Sequence, residues 1–501
     1  MLAVARTFAI VGVDALVVDA EVDIQRGLPA FSVVGLPDAA VRESRERVRA
    51  AIVNSGFEFP LKRITVSLAP SDLRKAGPGF DLAIAAGILV ASGQQPVSLL
   101  EDWTFAGELA LDGGIRAVRG ALAMSDAARR AGAAGIVVPA DNYREAALVE
   151  GLSVAPLERL LGLIELGRGE TAEPPPAAVT APGGGCPDYP DLADLRGQPG
   201  LRRGLEIAAA GGHSLLVVGP PGSGKSLGAR RLPSILPPLS SSESIEVTRV
   251  AGVAGVGPAP GACTRRPFRA PHHTISPAGL VGGGTPLRPG EISLAHRGVL
   301  FLDEIAEFSR GSLESLRQPL ESGEVTIARA HGALRFPARF QLIAAANPCP
   351  CGRGELDPRC TCSAEQVRRY ANRISGALAD RIDITLAVSQ PNAEALAGDQ
   401  PESSEAVRER VCMARDHQAG RFGEGRTNAD CSDDELRRSV ALVPEAEAAL
   451  RLAQERYSLS GRGWARALRV ARTTADLDDS ATVEERHLLG ALSMRGGRAD
   501  G

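Results

Sequence analysis

The chain has 501 residues, enough for roughly three domains at about 150 residues each. Apolar residues make up 44% and charged residues 23%, a balance that excludes wholesale disorder, collagen-like structure and a membrane-spanning class. Lys plus Arg number 56 against 60 Asp plus Glu, a net of -4, so a basic binding site must be local rather than spread over the whole surface.

The opening MLAVARTFAIVGVDALVVDAEV is broken by Asp14, Asp19 and Glu21, and no small-residue cleavage site follows. Its alternation predicts a β-strand instead of a signal peptide. No later apolar run reaches the roughly 18 residues of a membrane span, so a cytoplasmic protein is expected. Short runs (FSVVGLP, ITVSLAP, AGIVVPA) then alternate with helical spacing such as AAVRESRERVRAAIVNSG, which predicts a compact α+β domain over 1–168. The stretch GETAEPPPAAVTAPGGGCP loses all periodicity, and an exposed linker is expected over 169–189. The runs LLVVG, GVLFLDE and RFQLIAAAN mark an α/β region over 190–392. From 393 to 501 the apolar spacing is helical, in EAVRERVCMARDHQAGRF, EAEAALRLAQERY and GWARALRVARTTADL. No short internal repeat is evident.

Residues Gly219, Pro220, Pro221, Gly222, Ser223, Gly224, Lys225 and Ser226 form a G-x-x-x-x-G-K-[ST] motif between an apolar strand and a helix, the context a phosphate-binding loop requires. Glycines there let backbone N–H groups turn inward around phosphates, Lys225 offers a point charge, and Ser226 offers a ligand to Mg²⁺. The strand GVLFLDE ends in Asp303 and Glu304, fitted respectively to the Mg²⁺ shell and to polarising an attacking water. RFQLIAAAN ends in Asn347, whose amide could position that water.

With these motifs the chain resembles the AAA+ ATPases, specifically the magnesium-chelatase-like family that includes the ComM/YifB proteins. RGQPGLRRGLEIAAAGGHSLLVVGPPGSGKS, RPFRAPHHTISPAGLVGGG, GVLFLDEIAEF, ANPCPCG and RVARTTADL carry the likeness, which covers essentially the whole chain. It implies an α/β AAA+ core with a C-terminal helical lid. It further implies Asn347 as sensor 1, Arg381 as an arginine finger reaching a neighbour's nucleotide, and Arg462 as sensor 2, with Arg373 and Arg466 as alternates. An always-charged planar fork suits both arginine roles. A finger acting on a neighbour needs a closed ring, and the resemblance implies a homo-hexamer.

Cys349, Cys351, Cys360 and Cys362 place four of the eight cysteines within one short segment. Four thiolates there could close a structural Zn²⁺ site, with reduced thiols, a redox switch or an iron–sulfur cluster as alternatives. Cys186, Cys263, Cys412 and Cys431 lie apart and read as ordinary small residues.

Residues 1–168 resemble the proteolytic domain of Lon-type proteases (an S5 domain 2-like fold), in KAGPGFDLAIAAGI and GELALDGGIRAVRGALAMSDAARRAGAAGIVVPADN. Those enzymes use a Ser-Lys pair. The matching positions here are Gly79 and Leu122, so acyl transfer is not expected. Ser71 and Lys75 lie outside the motif positions.

Between the nucleotide motifs lie Arg265, Arg266, Arg269, His272 and His273, then Arg329, His331, Arg335 and Arg339. Arg269, His272, His273, Arg329 and Arg335 are candidate DNA contacts, following a backbone through phosphates. The competing reading pairs such arginines with Glu291, Glu321 and Glu324. Resemblance to ComM/YifB proteins implies an ATP-driven motor on single-stranded or branched DNA, promoting branch migration. The alternatives are a chelatase motor serving porphyrin metalation, a protein-remodelling ATPase and a DNA clamp.

Overall fold

The structure is a computed structural model, and it describes residues 1–73, 75–170, 189–256, 261–284, 287–329, 332–354, 357–374, 376–457 and 460–495. Most of the expected linker, with Cys186, lies outside the described residues, as do His331 and the side chain of Arg329.

The opening alternation is two strands rather than one. Strand β1 (Leu2–Val11) turns at Gly12 and Val13 into β2 (Asp14–Gln25), which pairs with it antiparallel. Strands β3 (Ala30–Val34), β4 (Arg63–Ala69), β5 (Trp103–Phe105), β6 (Gly135–Pro139) and β7 (Ser153–Leu157) complete a seven-stranded sheet, ordered β3-β4-β2-β1-β5-β6-β7. Helix α1 (Ala39–Asn54) shows a narrow apolar stripe, Val41, Val48 and Ile52, as its sequence spacing requires. Helix α2 (Asp81–Ala91) is apolar nearly all round and buried along its whole length. It lies so close to the sheet that a Cβ at Gly87 would stand 2.6 Å from Val22. Helix α3 (Ala121–Arg130) packs on the sheet chiefly against β2, and also against β6 and β1.

The second sheet is parallel throughout. Strands β8 (Leu215–Val218), β9 (Phe268–Arg269), β10 (Val299–Leu302), β13 (Gln341–Ala346) and β14 (Ile384–Ala387) are ordered β9-β10-β13-β8-β14. A hairpin, β11 (Glu324–Arg329) and β12 (Gly332–Pro337), lies between β10 and β13 in the chain. Helices cover both faces, so β8, β10 and β13 read as continuous apolar runs rather than alternating ones. This mixed α/β architecture with a central parallel sheet fits an AAA+ magnesium-chelatase-like core.

Helix α4 (Pro199–Gly211) leads into β8, α5 (Lys225–Ala229) leaves it, and α6 (Ser241–Ala254) follows. Helix α7 (Ala364–Ala371) lies between β13 and β14 in the chain. Helices α8 (Ser404–Phe422), α9 (Pro444–Tyr457), α10 (Gly461–Leu477) and α11 (Glu485–Ser493) share an apolar cluster with α4 and β8. The two sheets are joined through α6: Arg249 reaches Asp14 at 3.1 Å and Asp126 of α3 at 3.2 Å. No helix among the described residues is long and apolar enough to cross a membrane.

Candidate functional site

Strand β8 lies inside the parallel sheet beside the central strand β13, so the loop at its C-terminal end opens onto the ends of β10 and β13 as well. Gly222 and Gly224 adopt φ of 77° and 85°, values that a side chain would strain, and the loop curls around its own N–H groups before α5 begins. A cavity of about 350 Å³ results, lined by residues 221–227, Asp303, Glu304, Ala345, Ala346 and Asn347. The alanines of β13 are part of the reason there is space.

Lys225 is largely buried, and its Nζ donates to the carbonyls of Gly219 at 2.6 Å and Pro220 at 2.9 Å and to Asn347 Oδ1 at 3.3 Å. Burial lowers its pKa, while Asp303 and then Glu304 raise it. Ser226 Oγ donates to Asp303 Oδ2 at 2.7 Å, so hydroxyl and carboxylate oxygens meet at one point, a hard-donor set suited to Mg²⁺. Asp303 Oδ1 accepts from the Glu304 N–H at 3.0 Å. Glu304 itself has φ 51°, an uncommon value for a non-glycine residue, and its side chain is exposed at the cavity edge.

His273 stands 3.8 Å from the Glu304 carboxylate, with its ring 4.1 Å from that of His272 at a 34° tilt and edge-on to Phe308. The sequence offered His273 as a DNA contact; the structure puts it beside the carboxylate pair. Only the return of β9 alongside β10 makes them neighbours, so no local spacing could have shown it. Tyr370 was also missed. It is buried in α7, next to the backbone of Asn347, and no motif marks it.

Arg381 and Arg462 do not line this cavity. Arg381 packs against Glu321, and its pKa is lowered by burial and then by Arg317 and Arg462, which places Arg462 with Arg381 instead of at the phosphate loop. Arg462 is exposed at the start of α10. The alternates are engaged elsewhere: Arg373 pairs with Glu307 at 3.1 Å, and Arg466 donates to the Ile382 carbonyl at 2.9 Å.

Among the DNA-contact candidates, Arg269 is clamped bidentately by Glu291 at 2.6 and 2.7 Å, so its charge is already matched. Arg266 is matched likewise by Glu243 at 2.9 Å. His272 is exposed and bonds Thr274 at 2.9 Å. Arg335, on β12, is 75% exposed and only 4.0 Å from Glu324 at its nearest, which leaves it accessible.

The four cysteines gather just beyond Asn347. Their sulfurs all lie within 4.8 Å of one another, with separations of 3.4 Å (349 to 351), 3.8 Å (349 to 360) and 3.6 Å (351 to 360). A tetrahedron of thiolates around zinc at about 2.3 Å has edges of about 3.8 Å, whereas a disulfide needs about 2.05 Å. The cluster could hold a metal ion. The Gly354 N–H donates to Cys349 Sγ at 3.2 Å, and the Arg353 N–H, with Cys349 next, holds the Cys351 thiol down at about 6. A Cβ at Gly352 would lie 3.1 Å from Pro221, so this loop also touches the phosphate loop.

In the N-terminal domain, Gly79 occupies a short turn before α2 and Leu122 is buried in α3. Ser71 is exposed, while Lys75 is fully buried and donates to the Pro70 carbonyl.

Three family models match the chain in series. Subunit ChlI of Mg-chelatase matches residues 20–142, magnesium chelatase, subunit ChlI matches 191–396, and its C-terminal model matches 401–495. The Haemophilus influenzae competence protein ComM is 42% identical over 499 residues, covering 99% of this chain and 97% of its own. The Escherichia coli protein YifB is 41% identical over 496 residues, with the same coverages of 99% and 97%. A magnesium-chelatase 38 kDa subunit of Acidiphilium rubrum is 31% identical over 221 residues, covering 42% of this chain and 54% of its own.

Proposed function

The chain belongs to the magnesium-chelatase-like ComM/YifB family, and on that premise we propose that it is an ATP-hydrolysing AAA+ motor working on single-stranded or branched DNA as a ring of six copies. The observation that carries the ATPase reading is the convergence of Lys225, Ser226, Asp303 and Asn347 on one cavity. Residues 219–224 wrap the phosphates with N–H groups, and Lys225 exchanges its carbonyl partners for β- and γ-phosphate oxygens. Ser226 and Asp303 would hold Mg²⁺, which neutralises charge between those phosphates. Glu304 takes the proton of the attacking water, and Asn347 orients that water.

Arg381 does not line its own phosphate cavity, which supports its acting as a finger on a neighbour's nucleotide, with Arg462 near it as sensor 2. That arrangement needs a head-to-tail interface closed into a ring. Residues 393–501 serve as the helical lid, residues 169–189 as the linker, and 190–392 as the core. Residues 1–168 serve as a Lon-like assembly domain without proteolysis, because glycine and leucine stand at the nucleophile and lysine positions. The cysteines would hold a structural Zn²⁺; a closed four-thiolate site keeps no open position for chemistry.

DNA is favoured over a porphyrin substrate because the competence protein matches end to end, whereas the chelatase subunit matches under half of this chain. The accessible Arg335 on the hairpin is suited to a phosphate backbone, and Arg329 shares that hairpin. The test is ATP turnover and strand movement on single-stranded, forked and four-way-junction DNA, with Lys225→Ala as control. Stimulation and junction movement are expected. Turnover indifferent to every DNA, with a response only in a partner-dependent porphyrin assay, overturns the reading.

A further inference from the structure

The parallel sheet has a second cavity at its other end. It measures about 400 Å³ and is bounded by Gly298 and Gln341, where β10 and β13 begin, and by the chain that follows α8. The phosphate loop lies where the strands end, so the two cavities are separated by the sheet itself.

Arginine dominates the lining, and most of its charge is accounted for. Arg266 and Arg297 share Glu243 at 2.9 and 3.6 Å. Arg426 is held by both oxygens of Glu435 at 2.8 Å. Of the acids, Glu321 pairs with Arg381, while Asp430 accepts from the Thr427 N–H and hydroxyl at 3.0 and 2.9 Å and keeps its charge. Arg339 and Arg415 remain, and neither has a carboxylate partner at ion-pair distance among the described residues.

Arg415 is the more telling of the two. Its Nε and Nη2 both donate to the single carbonyl of Ala209, at 3.1 and 2.6 Å. Burial, followed by the nearby Arg266, holds its guanidinium down at about 10, which still leaves it charged at neutral pH. Arg415 is half-buried, and Asp430 and Glu243 lie near enough to favour its charge without pairing with it, so its fork remains able to meet an anion that enters the cavity.

We propose that this cavity binds a small phosphate-bearing anion, of the size of pyrophosphate or a nucleotide's polyphosphate, held by Arg415 and Arg339. Guanidinium forks meet phosphate oxygens in pairs, and the volume is that of a small-ligand pocket.

Binding of inorganic pyrophosphate to the full-length Lys225→Ala protein, measured by calorimetry and by shift in melting temperature, tests this site apart from the phosphate loop. Binding is expected to persist in Lys225→Ala and to weaken at least about tenfold on adding Arg415→Gln. Since Arg415 also holds Ala209, Arg339→Gln is the second variant; its side chain is exposed and lies over Gly323, and the same direction of loss is expected. The proposal is overturned if Lys225→Ala abolishes pyrophosphate binding, or if neither arginine substitution weakens it. A site that ignores pyrophosphate and retains a DNA oligonucleotide through these arginines overturns it equally. ATP binding to the unsubstituted phosphate loop reports separately on the proposed motor.

Discussion

Lys225 is one of only three lysines in the chain, with Lys62 and Lys75; all other long cations are arginines. The phosphate loop closes around a compact ammonium, with carbonyls at 2.6 and 2.9 Å, and a planar five-donor fork does not fit that ring of acceptors. Lys225→Arg should therefore fail as Lys225→Ala does, each lowering ATP turnover by at least about a hundredfold. Glu304→Gln should behave differently. Its carboxylate sits at the cavity edge and holds no loop residue, so nucleotide affinity should survive while turnover falls about a hundredfold or more. Equal loss of affinity in a filter-binding assay would show that Glu304 shapes the site rather than serving the chemistry.

Helix α6 shows how one element can be tied down by matched charge. The Arg339 N–H donates into His296 Nδ1 at 3.1 Å, so the ring proton sits on Nε2 and is given to Glu246 at 3.0 Å. Burial lowers the His296 pKa, and the His296 hydrogen bond, with Arg297, brings Glu246 down to about 2. Both groups have folded pKa values below their unfolded values of 6.5 and 4.5, so both stabilise the fold fully above pH 6.5. That contribution shrinks as pH falls, first through His296 and then through Glu246 toward pH 2. Melting temperature should decline from pH 7 to 4, and His296→Gln should flatten the upper part of that decline; an unchanged slope would dismiss the histidine. The cysteine loop makes a second element-scale case. Purified protein should contain about one zinc per chain by elemental analysis, and Cys351→Ser with Cys360→Ser should remove it. Because the backbone at Gly352 passes so close to Pro221 that a Cβ there would crowd it, metal loss should also weaken nucleotide binding. A metal-free protein with four reactive thiols would contradict the assignment.

At the scale of the whole molecule, the separation of Arg381 from its own phosphate cavity matters most. On the proposed ring, mixing Lys225→Ala and Arg381→Ala chains should restore part of the turnover, since each copy would supply what its neighbour lacks; no recovery would place Arg381 in its own subunit's chemistry. The phosphate loop, the Asp303–Glu304 pair, the cysteine spacing and most strands and long helices were legible in the sequence, because each depends on residues close together in the chain. The turn at Gly12 was not, since alternation runs through β1 and β2 alike and only antiparallel pairing divides them. Which arginines stay available was also closed to sequence. Arg269 and Arg335 look equivalent there, but packing gives one a bidentate partner and leaves the other exposed. Local spacing thus determined the chemistry this chain can offer. Tertiary structure decided which charges remain for use, because the cost of a charge depends on the water and counter-ions around it, and distant segments supply both.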